Sequence, residues 1–389
     1  MKLLRILYFA SMPVFLVIGL YTGLAVHYIV FFTQLFIILA LLGLYYWMVY
    51  SFRFTQKLKS DLGSGGGETQ LKIKILNPRP IPIALMEISV ATANPCDNEQ
   101  LSFSLAPFEE KSFDIKITMP YCGVYDLGMT KLRLTDILGL MPLPFDMRKL
   151  SFYRQPQLMV YPAVEALSSL SASLLDEKLF SSSYLKLAEE GDSVSGLRKY
   201  RDGDAAKRIH WKRSISLGEL YVKQYENPLR QKVFIIIDVY THKLKDEARY
   251  IYSDTVCRTA AALCRHSLLR RREVDLFAMS YPGEKLSRCI GDNALEPFLK
   301  WLAQLRFDNQ VHLKTSLEAA LSASDEATAI FVITREPDSG LMSILEQASV
   351  KVGSVSLVRI ENETAYDGRL HTMFVEPGGS VSKSLEVDV

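Results

Sequence analysis

Between Arg5 and Arg53 the chain runs for forty-seven residues without a single Asp, Glu, Lys or Arg, and His27 is the one histidine inside that run. Wound as one helix, such a stretch would be about 70 Å long. The hydrocarbon core of a bilayer is only about 30 Å thick. The pattern therefore predicts two transmembrane helices joined by a short turn. That turn is expected between Thr22 and Thr33, where Thr22, Gly23, His27, Tyr28 and Thr33 dilute the apolar run. Tyr45, Tyr46, Trp47 and Tyr50 make the aromatic belt expected where a helix leaves the membrane. Lys2 and Arg5 precede the first span, and Arg53, Lys57 and Lys59 follow the second. Positive charge at both ends assigns both termini, and the soluble domains, to the cytoplasmic side. The rival reading, a cleaved signal peptide followed by one span, lacks a clear small-x-small cleavage site.

Composition agrees with that compartment. The five cysteines, Cys96, Cys122, Cys257, Cys264 and Cys289, form an odd set without metal-ligand spacing. Cys257 and Cys264 lie two helical turns apart and read as small buried hydrophobes. A net charge of +2 argues against a globally basic nucleic-acid binder.

With residues 1–60 given to the membrane hairpin and the start of a tether, two soluble domains remain. Asp61 to Glu68 reads DLGSGGGE, a glycine-rich tether. Residues 61–165 show short alternating strands at Leu71–Leu76, Ala84–Val90, Gln100–Leu105, Ser112–Met119 and Met129–Leu134, the rhythm of an all-β sandwich. Residues 166–230 form a connector followed by a basic and aromatic segment. Across residues 231–389 apolar strands alternate with helices. Strands are expected at Val233–Val239, Val274–Ser280, Ala329–Thr334, Val352–Val358 and Met373–Val375, with Leu286–Ile290 turning back on the second. Helices are expected at Asp246–Arg270, Asn293–Leu305, Ser316–Ser322 and Ser339–Gln347. This is the pattern of a doubly wound, mostly parallel α/β sheet. The remaining tail reads as a frayed acidic end.

Residues Gly191 to Glu226 carry eight lysines and arginines and four aromatic rings, Tyr200, Trp211, Tyr221 and Tyr225. Arg198, Arg208 and Arg213 offer forked donors, Asp202 and Asp204 matching acceptors, and Gly203 the tight turn between them. Ile209 and Trp211 alternate with His210 and Lys212, as in a short strand with one buried face. Leu220–Tyr225 reads as a further strand feeding the sheet. The order R-x-Y-x-x-G-D-x-x-x-R-I-H-W, from Arg198 to Trp211, resembles the bacterial family called domain of unknown function 58. Looser matches lie at Cys122–Gly128 and Asp136–Leu140, where glycine turn chemistry is sufficient explanation.

That resemblance implies a bacterial inner-membrane protein with a von Willebrand factor A-like domain. It also implies work beside a MoxR-type AAA+ ATPase and other membrane or envelope proteins in assembly, maturation or envelope stress. Domains of that type hold Mg²⁺ or Ca²⁺ on hard oxygens at the carboxyl ends of their strands. Here the loop reads Asp238-Val-Tyr-Thr-His242, so Tyr240 and His242 replace two serines. Thr315 stands for the loop threonine, and Arg335 occupies the place of the second carboxylate. The metal site is degenerate, no cofactor is expected, and an Asp238–Arg335 ion pair is the structural alternative.

Three roles stay open for Arg198, Tyr200, Gly203, Asp204, Arg208, His210 and Trp211: an inter-domain clasp around a buried Trp, a docking surface for a partner, or a nucleic-acid site. Catalysis lacks support, since no P-loop, nucleophile elbow or H-E-x-x-H motif is present. The expected function is a membrane-anchored cytoplasmic scaffold; the alternative is a tethered nucleic-acid binder or enzyme using the basic motif.

Overall fold

A computed structural model describes residues 2–93, 98–135, 143–150, 153–167, 194–201, 204, 209–225, 232–241, 244–270, 272–280, 285–287, 295–307, 313–324, 328–352, 354–361 and 370–386. The chain divides into two compact units, residues 1–120 with 124–160, and residues 121–123 with 161–389.

The first unit opens with helices α1 (Lys2–Thr22) and α2 (Ala25–Ser51), broken at Gly23, whose φ is +69°. They run antiparallel. Gly19 faces His27 and Tyr28, the Tyr8 hydroxyl donates to the Gln34 carbonyl (3.1 Å), and Gln34 Nε2 donates to Ser11 Oγ (3.0 Å). Among the described residues α2 is long and apolar enough to cross a membrane, with a mean hydropathy of 2.2. The apolar part of α1, Ile6–Thr22, is shorter.

Strand β1 (Arg53–Leu58) begins directly after α2, and Val49 and Phe52 at the helix end are buried in the β core. The expected tether is thus replaced by ordered structure. Strand β2 (Leu62–Ser64) lies inside it, and the glycines serve close approach: a Cβ on Gly63 would sit 2.3 Å from Met119 Sδ. Then come β3 (Glu68–Leu76), β4 (Ile83–Ala91), β5 (Asn98–Leu105), β6 (Glu110–Thr118), β7 (Gly123–Asp126), β8 (Gly128–Thr135), β9 (Leu143–Asp146) and β10 (Gln157–Tyr161). The sheets have orders β1-β3-β6, β2-β10-β7 and β5-β4-β8-β9. Strict alternation in β3 buries Leu71, Ile73 and Ile75 on one face. Each such side chain contributes about 1.5–3 kcal/mol relative to exposure. Gly128 sits at φ +102°, and a Cβ there would meet Gln56 Oε1, the acceptor for the Met129 amide. Turn chemistry accounts for that motif position. The Asp136–Leu140 corner lies outside the described residues.

In the second unit, β11 (Val194–Lys199) and β12 (Tyr221–Tyr225) form their own two-stranded sheet. Leu220–Tyr225 therefore does not feed the main sheet, a correction to the expectation above. That sheet contains β13 (Lys232–Ile237), β14 (Glu273–Phe277), β15 (Lys285–Ser287), β16 (Thr328–Thr334), β17 (Ser354–Arg359) and β18 (His371–Phe374), in the order β15-β14-β13-β16-β17-β18. Five strands are parallel, and the edge strand β15 runs antiparallel to β14. Helices α4 (Asp246–Leu269), α5 (Leu295–Gln304) and α8 (Val381–Glu386) pack one apolar cluster with Val233, Ile235 and Ile237. Helices α6 (Leu313–Ser322) and α7 (Ser339–Lys351) pack the opposite cluster with Phe234 and Ile236. A strand covered on both faces needs no polar alternation, which is why β13 and β16 read as continuous apolar runs.

The tail also differs from expectation. Residues 381–386 form α8, with Val381 and Leu385 buried four residues apart on one face. Glu165 holds its start: Oε2 accepts from the Ser382 amide and the Ser380 hydroxyl, both at 2.9 Å, and Oε1 pairs with the Arg258 guanidinium. An isolated tail sequence gives no sign of a carboxylate more than two hundred residues away.

Candidate functional site

Two places gather the singled-out residues. The first is built on the β11–β12 hairpin, whose register pairs Lys199 with Tyr221 and Leu197 with Lys223. The Tyr200 amide donates to the Leu220 carbonyl (2.9 Å) and extends the ladder, leaving the Tyr200 ring half-buried. Beyond it Arg198 grips Asp204 through both guanidinium nitrogens, Nη1 to Oδ2 at 2.7 Å and Nη2 to Oδ1 at 2.6 Å. Asp204 also accepts from the Arg201 amide at 2.9 Å. The Arg198 guanidinium, then that amide, hold the Asp204 carboxyl at about 2, against an ordinary 3.8. A fork-to-fork pair of this kind fixes the plane of both groups and pins the loop to the hairpin.

After that loop Ile209 makes an antiparallel bridge to Val222, and both side chains are buried. The expected strand then stops. Residues Trp211–Leu217 instead form helix α3. His210 caps it, its Nδ1 accepting from the Arg213 amide at 3.1 Å, a role that puts the neutral ring's proton on Nε2. Gly218 closes the helix in the left-handed region at φ +71°. Ser214 is buried and ties α3 to β12, its Oγ donating to the His210 carbonyl (3.0 Å) and accepting from the Tyr221 amide (2.9 Å).

With Ser214 turned inward, Trp211 and Ile215, one helical turn apart, face out. Trp211 is 58% exposed and Ile215 79%. Leu217 and Leu220 are exposed too, beside Lys212 and Arg213. Within its own unit Trp211 is thus a surface residue and not a core one. The alternation that suggested a strand comes from a cap residue and a helix start, which periodicity over four residues cannot distinguish. Asp202, Gly203 and Arg208 lie outside the described residues.

The second place is the carboxyl end of β13 and β16, where strand order reverses. Asp238 is buried; Oδ2 accepts from the Thr334 hydroxyl at 2.7 Å and Oδ1 from the Tyr240 amide at 3.0 Å. Among the described residues Arg335 pairs with its neighbour Glu336 (3.8 Å) and not with the expected Asp238. Thr315 falls within the first turn of α6, and His242 lies outside the described residues. Both Asp238 oxygens are thus already engaged as acceptors, and a guanidinium-bearing residue follows Thr334. Among the described residues no group of three or more His, Cys, Asp or Glu side chains gathers, and a hard divalent cation takes six or more oxygens.

A third grouping was not legible in the sequence. The Cys122 amide donates to Asp254 Oδ1 at 2.8 Å. The Cys122 thiol is pushed well up, first by its hydrogen bond to Cys257 and then by burial. A thiol held protonated is a packing group and a poor nucleophile.

Residues 196–364 match the model of a protein family described as protein of unknown function DUF58. No curated protein matches the chain. Among solved structures, the CARDB domain of a Pyrococcus furiosus protein in complex with di-metal ions is 16% identical, covering 28% of this chain and 93% of that one at a TM-score of 0.21. The C-terminal domain of wzt is 11% identical, covering 29% and 80% at 0.20. A β-glucosidase from Listeria innocua is 12% identical, covering 28% of this chain and only 16% of its own length at 0.16. Likenesses at these scores carry no functional argument.

Proposed function

Taking as premise the DUF58 domain that residues 196–364 carry, we propose that the chain is a membrane-anchored interaction protein. In this reading α1 and α2 cross the bilayer as a hairpin and leave both termini and the soluble units in the cytoplasm. The helix-to-helix hydrogen bonds at Ser11 and Gln34 support the hairpin, and the 17 residues of Ile6–Thr22 sit at the short end of spanning lengths. The sheet order β15-β14-β13-β16-β17-β18, with its antiparallel edge, supports a von Willebrand factor A-like reading of the second unit.

One observation carries the proposal: a rigidly built element presents Trp211 and Ile215 to solvent. The His210 cap and the Ser214 bridge to the His210 carbonyl and the Tyr221 amide hold α3 against β12, so an exposed face there does not follow from looseness. Trp is the residue most enriched at interface hot spots, and Arg and Lys around it favour an acidic rim on the partner. The partner we propose is a MoxR-type AAA+ ATPase. The test is binding of the full chain in nanodiscs to the purified ATPase. A W211A/I215S chain should bind at least about tenfold more weakly, and equal binding would remove the observation's force.

A further inference from the structure

The exposed face of the β1-β3-β6 sheet carries a groove of about 410 Å³ immediately beyond the membrane helix. Its cations come from two adjacent strands. Register pairs Lys57 with Lys72 and Thr55 with Lys74, so these side chains share one face, with Arg53 opposite Leu76. Arg53, Lys57, Lys72 and Lys74 line the groove against one carboxylate, Glu110. Lys74 pairs with Glu110 at 3.3 Å and Lys72 with Asp114 at 3.8 Å. Arg53 and Lys57 have no ion pair among the described residues, and both are exposed. Arg53 lies two residues after the end of α2, and Val49 in the last turn of that helix and Phe52 just after it are buried in the core of the same unit, which ties the groove to the helix exit.

Unpaired cations within about a Debye length of a bilayer meet its negative surface potential. The geometry points to a binding site for an anionic phospholipid headgroup from the leaflet that α2 leaves. Arg53 and Lys57 take the phosphate and Leu76 lies beneath the glycerol. This rests on the membrane-anchor reading, but the ATPase plays no part in it. Such a site fixes the depth and tilt of the β unit against the bilayer, which a charge-neutral surface would leave free.

The test uses the full chain in nanodiscs of phosphatidylcholine containing a minority of phosphatidylglycerol. Lipid retained through mild extraction is counted by mass spectrometry. Wild type should retain phosphatidylglycerol over phosphatidylcholine. Each cation removed should cost about fivefold, so R53Q/K57Q should lose roughly twenty-five-fold. A K72Q/K74Q chain should lose the preference as well, whereas K131Q, on the other sheet, should keep it. Equal retention of the two lipids by wild type, or an unchanged preference in R53Q/K57Q, overturns the inference. Displacement of the lipid by millimolar inorganic phosphate would also overturn it, because the groove would then be a free-phosphate site. Loss of the chain from membranes in an alkaline carbonate wash sinks the anchor itself, an outcome distinct from lack of lipid preference.

Discussion

Strand β16 and helix α3 are both rich in large apolar side chains, and the chain treats them in opposite ways. All seven residues of β16 are buried, from Thr328 to Thr334. In α3 only Ser214 is buried, while Trp211, Ile215 and Leu217 stand in solvent. The difference lies in their neighbours. Strand β16 has hydrogen-bonded strands on both sides and helices over both faces. Among the described residues helix α3 rests on the two-stranded β11–β12 sheet, with Ser214 bridging it to β12. Apolar content thus measures stability in one region and, on our reading, recognition in the other.

The two regions should separate under mutation, and the largest effect belongs to the sheet. Phe331→Ala in β16 should cost about 3–5 kcal/mol, read as lost protection of β16 amides in hydrogen exchange. A smaller loss would mean that the helices collapse readily onto the gap.

Next comes the junction that holds α8 to α4. Burial pushes the Glu165 carboxyl up, but the Ser382 amide, the Arg258 guanidinium and the Ser380 hydroxyl outweigh it and leave it at about 2, against an ordinary 4.5. Its folded value lies below its unfolded one. Its stabilisation is therefore complete above about pH 4.5 and disappears as pH falls towards 2. Glu165→Gln should cost about 2 kcal/mol at neutral pH and flatten the acid limb of a melting-temperature profile. An unaltered acid limb would show that other carboxylates govern it.

Helix α3 offers a finer comparison. His210→Ala removes its cap and should cost about 1 kcal/mol locally, while His210→Asn should restore most of it. Exchange of the Arg213 amide is the readout, and no change in His210→Ala would mean that the His210 carbonyl suffices. The smallest stability effect is expected for W211A/I215S, within about 0.5 kcal/mol of wild type, since both side chains already face water. A large drop in melting temperature would return Trp211 to the clasp reading.

The same contrast explains what could be read from sequence. Continuous apolar runs such as Val233–Val239 and alternation such as Leu71–Leu76 report burial directly, so the β unit and the parallel sheet were legible. Arg198 was legible as a forked donor and Asp204 as an acceptor, but which arginine takes which aspartate was not, because several of each lie within reach in sequence. Helix α3 was not, because His210 is an uncommon cap and Ile209 ends its bridge just before the helix begins. The glycine-rich stretch after Asp61 misled for a related reason: composition cannot tell a flexible glycine from one that admits Met119. Glu165 and the start of α8 meet only in three dimensions.

The most direct measurement is the affinity of the purified full chain, held in nanodiscs, for a MoxR-type ATPase, taken together with its melting temperature. We expect wild type to bind, and W211A/I215S to melt at the same temperature yet bind at least about tenfold more weakly. Undiminished binding by that chain, or no binding by wild type, would contradict the view that α3 is the contact surface.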